Sequence, residues 1–462
     1  MPSDLSRRAF LKRASALSLA GAATPFVMNL AAMGEAAAAT ATDYKALVCV
    51  FLYGGNDYAN TLVPNDNTQY GIYQAQRPGL AYAQSALIAT ALTPSVPLPN
   101  GAQYALAPEL AKLLPLFNAG NLAVLLNAGT LVQPTTKAQY QAHVSLPPKL
   151  LSHNDQQSYW QASSPEGAAS GWGGRIGDLL QSGNGTATLT CINATGNAAF
   201  LTGQAAVQYS VTPAGPIALN ARNSLQGSTA AASLLQSLIS GGGTHEFEAA
   251  LGSIGARALD LYSQVSAALG QAPATTTVFP TAADPQSSLG AQLQLVAKLI
   301  SVSSQLGAKR QVFFVSTGRY DTHAGLVTLH PTLLTNLADA LRAFYDTTVE
   351  LGVASQVTTF TGSDFGRALT ANNDGTDHGW GSMHFVLGGA VRGGRYYGIN
   401  PTLANGGPDD IGQGRLIPTL SVDQYAATLA SWFGVSNSDL ATVVPNIGNY
   451  AGSALGTNVG FV

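Results

Sequence analysis

Residues 357–398 carry a dense set of groups able to do chemistry. An apolar run, 357–360, breaks at Gly362, and Asp364, Arg367, Asp374, Asp377, His378 and His384 follow among glycines. Charged residues make up only 10% of the chain, against roughly a quarter in an average domain, so this crowding of carboxylates and imidazoles asks for a purpose. A second group, Asp321-Thr322-His323, follows the apolar run 312–315. In extended backbone the side chains at i and i+2 point the same way, so Asp321 and His323 can reach one ion. Asp and His without Cys form a hard-to-borderline donor set suited to Zn²⁺, Mn²⁺, Mg²⁺ or Ca²⁺. One ion activates a bound water or hydroxyl, and two clamp the attacking and leaving oxygens of a transferred phosphoryl or sulfuryl group. The alternative is a loop network held by hydrogen bonds alone.

Such a site needs strands that deliver their ends to one place. Residues 46–53 are an unbroken apolar run, as expected for a strand buried on both faces of a parallel sheet. Gly54-Gly55-Asn56-Asp57 turns out of it, placing Asp57 where open α/β sheets hold ligands. The runs 122–126, 312–315 and 357–360 repeat this pattern and release polar loops at Asn127, Asp321 and Asp364. Helices are expected over 108–117, 289–306 and 331–350, and Ser421-Val422-Asp423-Gln424 is a capping-box pattern for a helix through Phe433. The tail after Val435 reads as surface loop. Residues 220–288 read as a helical insertion or cap, with helices over 225–240 and 245–269, Thr244 as a cap and His245 on the surface. Ser152-His153-Asn154-Asp155 marks a helix entrance. Ser152 there is either an N-cap with Asp155 as its partner, or a nucleophile or ligand beside the exposed amides of the helix start.

Ser6-Arg7-Arg8-Ala9-Phe10-Leu11-Lys12 reads as a twin-arginine signal, followed by a mildly apolar stretch, 14–32, and a small-residue run, 36–39. A leader over 1–39 and one domain over 40–462 are expected, with the twin-arginine translocase as the partner during export and a periplasmic or secreted product. No later stretch has the apolar length of a bilayer span. The net charge of −3 gives no footing for nucleic acid. Cys49 and Cys191 are too few for a disulfide framework, and Cys49 serves as a small hydrophobe in its run.

The twin-arginine start, Gly54-Gly55-Asn56-Asp57 with Asn60-Thr61-Leu62-Val63-Pro64, Ser152-His153 before Tyr159-Trp160, and Asp321-Thr322-His323 stand in one order. Ser363-Asp364-Phe365-Gly366-Arg367, Thr376-Asp377-His378-Gly379-Trp380-Gly381 and Phe385-Val386-Leu387-Gly388-Gly389-Ala390-Val391 continue it. Together they resemble the DUF1501 family, which is similar in fold to the alkaline phosphatase and sulfatase superfamily. The resemblance implies an α/β fold, an alkaline phosphatase-like mostly parallel sheet sandwiched between helices, with one or two divalent metal ions at the carboxyl ends of its strands. It implies that Asp57, Asp321, His323, Asp364, His378 and His384 match ligand positions, with Asp377 adjoining them, and that Ser152 matches the nucleophile region. A Cys or Ser before a Pro and an Arg, the nucleophile motif of sulfatases, is absent around Ser152, which favours phosphate over sulfate.

Two functions of different class follow. One is an exported metal-dependent hydrolase of small anionic phosphate or sulfate esters, with Ser152 as nucleophile and Arg175 or Arg367 as the anion contact. Arg175 otherwise reads as structural pairing. The other is a non-catalytic envelope or extracellular binding protein that uses the same fold and a surface rich in Ser, Thr, Asn and Gln.

Overall fold

The computed structural model of the chain describes residues 43–196, 198–242, 245–281 and 288–462, so the expected leader and Thr244 lie outside the described residues. The apolar run at its start forms strand β1, Lys45–Leu52. Its residues alternate between two cores: Ala46, Val48, Val50 and Leu52 enter one, and Leu47, Cys49 and Phe51 the other. A strand buried on both faces needs apolar side chains at every position, which explains the unbroken run.

The other apolar runs form β2, Leu122–Gly129, and, after a short strand β3, Cys191–Asn193, they form β4, Arg310–Thr317, and β5, Val357–Ser363. β1 pairs in parallel with β4 on one side and β5 on the other, and β3 extends the sheet in parallel beyond β4. Leu52 stands opposite Thr317 and Ser363, so the carboxyl ends of these three strands lie level. Helices Leu289–Ser301 and Leu326–Glu350 cover one face through Leu293, Val296, Leu334, Leu337 and Leu341. Helices Trp172–Leu180 and Val422–Phe433 cover the other through Ile176, Leu179, Tyr425 and Leu429. The mostly parallel sheet between helices is therefore the architecture, and Ser421 and Gln424 form the expected capping box.

Four local features differ from the sequence reading. The segment after β5 is a hairpin, β6, Arg367–Asn372, and β7, Gly375–His378, turned at Asn373 with φ 60°. It then enters the sheet as β8, Ser382–Leu387, antiparallel to both β5 and β2. The helix expected from 331 starts at Leu326 and carries Pro331 inside it, where only one intrahelical N–H is lost. The tail after Val435 is no surface loop, because Val443, Tyr450 and Phe461 are buried in the second core. The stretch 220–288 does hold two helices, Thr229–Ser240 and Glu246–Leu269, with His245 exposed and its side chain accepting from the Phe247 amide at the helix start. Both cysteines are buried and free, and no helix among the described residues is long and apolar enough to cross a membrane.

Candidate metal centre

At the level carboxyl ends of β1, β4 and β5, the loop after β4 presents Asp321 to three imidazoles. His153 Nε2 is 3.4 Å from Asp321 Oδ2, while His378 Nε2 and His323 Nε2 each lie 3.2 Å from Oδ1. One donor atom each from His153, Asp321 and His378 falls within 4.8 Å of the others. The Asp321 side chain is 41% exposed, so a small molecule can approach the group from solvent.

The opposite nitrogens of the rings face acceptors. His378 Nδ1 is 2.7 Å from the carbonyl of Leu151, which can only accept, so Nδ1 carries the proton and a neutral His378 presents a lone pair at Nε2. Leu151 holds that carbonyl in place with a left-handed backbone, φ 70°, a conformation that non-glycine residues adopt at a cost. His153 Nδ1 is 2.7 Å from Asp364 Oδ2, and His323 Nδ1 is 3.5 Å from Asp377 Oδ1. Carboxylates and carbonyls behind Nδ1, with Nε2 turned inward, are how proteins orient metal-ligating histidines.

Asp364 is buried at the end of β5. Its Oδ2 also accepts from the Gly54 amide at 3.1 Å and from Gln157 Nε2 at 2.7 Å. The close approach requires glycine: Gly54 has φ +114°, and a Cβ on Gly55 would lie 2.3 Å from the Phe365 ring. Asp364 thus stands behind His153. Asp377 likewise stands behind His323, held by Asn372 and by Arg415 Nη2 at 3.7 Å.

Charge follows this geometry. The hydrogen bond to Asp364 raises the pKa of His153 despite partial burial, and Asp321 adds to the effect. Burial lowers that of His378, helped by the charges of His153 and Arg367 and opposed by the Leu151 carbonyl. Burial pushes Asp321 up, but Arg367, His153 and His323 outweigh it and hold its carboxyl below the usual range. His323 Nε2 and His378 Nε2 approach to 2.9 Å, and because the Leu151 carbonyl keeps the His378 proton on Nδ1, a proton on His323 Nε2 bridges the pair. A divalent ion at the centre would take the place of that proton, and the donor set suits one.

The remaining residues singled out from sequence stand elsewhere or act differently. Asp57 is fully buried, and both its oxygens are taken by Arg77, Nη1 at 2.8 Å and Nη2 at 3.0 Å. His384 lies within the second core against Trp160 and Tyr425, where burial pushes its pKa down to about 3. Arg367 is buried and donates to Asp321 Oδ1 at 2.8 Å, Gly54 O at 3.1 Å and both oxygens of Thr376. It holds Asp321, and its side chain is wholly buried rather than open to an incoming anion. Arg175 donates to the carbonyls of Ala162, Ser170 and Val443, a structural pairing. Ser152 Oγ donates to Asp155 Oδ2 at 2.9 Å and makes no cap to the helix His153–Ala162.

His153, Arg77 and Thr376 are the parts of this arrangement that sequence reasoning passed over. The signal for His153 was its place beside Ser152 at a helix entrance, one of only seven histidines in the chain. Nothing local marked Arg77, which stands before Pro78 outside every motif singled out from the sequence.

The fold and site define a mixed α/β protein with a cluster of His and Asp side chains at the carboxyl edge of a mainly parallel sheet. The chain belongs to the DUF1501 family, described as a protein of unknown function, whose model matches residues 44–441. Solved structures similar to it include the PsFucS1 sulfatase from Pseudoalteromonas sp., at 10% identity over 90% of this chain and 73% of that one, with a TM-score of 0.35. Another is the lipoteichoic acid synthase LtaP from Listeria monocytogenes, at 8% identity over 90% and 80% of the two chains, with a TM-score of 0.31. Identities this low equate no individual residues. No curated protein matches the sequence.

Proposed function

We propose that this chain binds a divalent cation at Asp321, His153 and His378, with His323 alongside, and hydrolyses a small phosphate or sulfate ester there. The observation that carries the reading is the common orientation of the three rings. Each Nδ1 faces an acceptor, and each Nε2 faces Asp321.

The cation supplies Lewis acidity toward the ester oxygens and the attacking hydroxyl or water. The protein's own groups do the rest. Asp364 retains the Nδ1 proton of His153 and so keeps Nε2 free. Leu151 does the same for His378, and Arg367 fixes the direction of the Asp321 carboxylate. Ser152 lies between Leu151 and His153, and its hydroxyl proton already points to Asp155, as a nucleophile with an adjacent base would have it. Phosphate is the favoured ester, because Ser152 lacks the Pro and Arg context of a sulfatase nucleophile. The leader makes the site of action the periplasm or the exterior, reached through the twin-arginine translocase.

The test is metal analysis of protein purified without chelators after growth with Zn²⁺ and Mn²⁺, beside assays with p-nitrophenyl phosphate and p-nitrophenyl sulfate. Bound metal, phosphatase turnover, and loss of both in Asp321→Asn are the expected results. Absence of metal from the wild type, together with unchanged thermal stability on adding ions, would replace this reading with the non-catalytic binding protein.

A further inference from the structure

Behind the cluster lies a chain of charged and polar side chains that runs from the buried Arg77 to Asp321. Arg77 has no solvent exposure, and every one of its N–H groups has a partner. Nη1 donates to Asp57 Oδ1 at 2.8 Å and Asn60 Oδ1 at 2.9 Å, and Nη2 to Asp57 Oδ2 at 3.0 Å and Ala368 O at 2.9 Å. Nε donates to Leu369 O at 2.8 Å. Arg77 thereby joins the turn after β1 to strand β6 of the hairpin.

Asp57 is held on its other side. Thr376 Oγ1 donates to Asp57 Oδ2 at 2.9 Å and accepts from Arg367 Nε at 2.9 Å. Arg367 Nη1 in turn donates to Asp321 Oδ1 at 2.8 Å. One hydroxyl therefore links two buried ionic groups, with its proton direction set by chemistry, because guanidinium only donates and carboxylate only accepts. The order is cation, anion, hydroxyl, cation, anion, ending on the carboxylate at the centre of the imidazoles. Arg367 is buried, and a buried guanidinium needs compensating charge and saturated hydrogen bonds. Asp57 supplies part of both through Thr376.

We propose that Arg77 occupies the place of a second cation at Asp57, leaving a one-ion centre, and that Asp57, Thr376 and Arg367 act as positioning residues for Asp321. The proposal rests on the metal reading above and deepens it. Each Asp57 oxygen accepts twice, Oδ1 from Arg77 Nη1 and the Asn60 amide and Oδ2 from Arg77 Nη2 and Thr376 Oγ1, which leaves no acceptor site for a metal ion, whereas Asp321, bound by one guanidinium N–H, keeps Oδ2 free of such a donor. Removing the hydroxyl at 376 frees Arg367 to rotate about its remaining partners and carries Asp321 out of register with His153 and His378.

The experiment titrates the full-length mature protein with Co²⁺, followed by its visible absorption bands, and repeats the titration with Thr376→Val and Thr376→Ser. The wild type should bind one ion per chain. Thr376→Val, which keeps the side-chain shape and lacks the hydroxyl, should bind Co²⁺ about 10-fold to 100-fold more weakly, the range for loss of an outer-sphere partner. Thr376→Ser should bind within about threefold of wild type, because the donor and acceptor remain. Two ions per chain would overturn the proposal and leave the metal reading standing. Equal affinity in wild type and Thr376→Val, or equal weakening in both variants, would overturn the positioning role. No binding by the wild type would end both readings. Should Thr376→Val fail to fold, the wild-type ion number and the Thr376→Ser affinity still decide: one ion with affinity kept supports the proposal, and any other result overturns it.

Discussion

The imidazole of His153 is held between two carboxylates: Nδ1 is 2.7 Å from Asp364, which is buried, and Nε2 is 3.4 Å from Asp321, which is open to solvent. One ring thus joins a rigid interior anchor to an accessible edge. It can carry a proton on its outer nitrogen or give that nitrogen to an ion, and the choice depends on pH.

The pH dependence has a definite sign. The folded-state pKa of His153 is raised, chiefly by its hydrogen bond to Asp364. Its contribution to the stability of the ion-free protein is therefore fully present below the unfolded value of about 6.5 and is lost as pH rises through the higher folded value. Ion binding needs the neutral ring, so affinity should change in the opposite direction, rising over the same window with proton release. Calorimetric Zn²⁺ titrations in two buffers of different ionisation enthalpy should show this release diminishing at higher pH. An affinity independent of pH through that window would contradict the arrangement.

Asp364→Asn and His384→Leu should separate the cluster from the core. The first removes the charge that keeps the proton on His153 Nδ1, so metal affinity should fall roughly 10-fold to 100-fold. The second replaces a buried imidazole whose pKa burial pushes down to about 3, and should leave ion affinity unchanged. Equilibrium dialysis with Zn²⁺ compares them directly. A His384→Leu protein that folds and binds no ion would return His384 to the ligand set.

Arg77→Met should be among the most destabilising single substitutions. It leaves the Asp57 carboxylate buried without its counter-ion, a loss of about 3–5 kcal/mol in comparable buried pairs. Adding Asp57→Asn should recover part of it. Urea unfolding of the single and double variants measures the difference, and a single variant as stable as wild type would show that the pair is not coupled.

Replacing both Arg7 and Arg8 by Lys should hold the precursor in the cytoplasm, since the twin-arginine pathway reads that pair. Fractionation and immunoblotting test it. Unchanged secretion would assign another export route.

The apolar runs of β1, β4 and β5 were legible because a strand buried on both faces leaves no position for a polar residue. Their polar exits at Asp321 and Asp364 were legible for the same reason: side chains change character where the strand leaves the core. The family motifs pointed to Ser152 as the functional residue of its segment, whereas its neighbour His153 is the one that meets Asp321. Strand alternation alone did not reveal that residues 367–378 fold back as a hairpin, because its glycines and polar residues resemble those of an open loop.

What tertiary structure decided is which charges neutralise one another. Asp57, Asp321 and Asp364 share a residue type and a position after a strand, and local sequence treats them alike. Their environments make them different: Arg77, 20 positions from Asp57, closes it off, His153 claims Asp364, and Asp321 remains at the open centre with one guanidinium behind it. His384 shows the complementary case, since the antiparallel entry of β8 turns it into the core beside Trp160. The character of a buried charge depends on the partners that replace its water, and those partners come from segments far apart in the chain. The amino-acid order by itself determined which strands would share a sheet edge and which residue types would reach it; only packing in three dimensions determined which of those residues were closed off by partners and which stayed open to solvent.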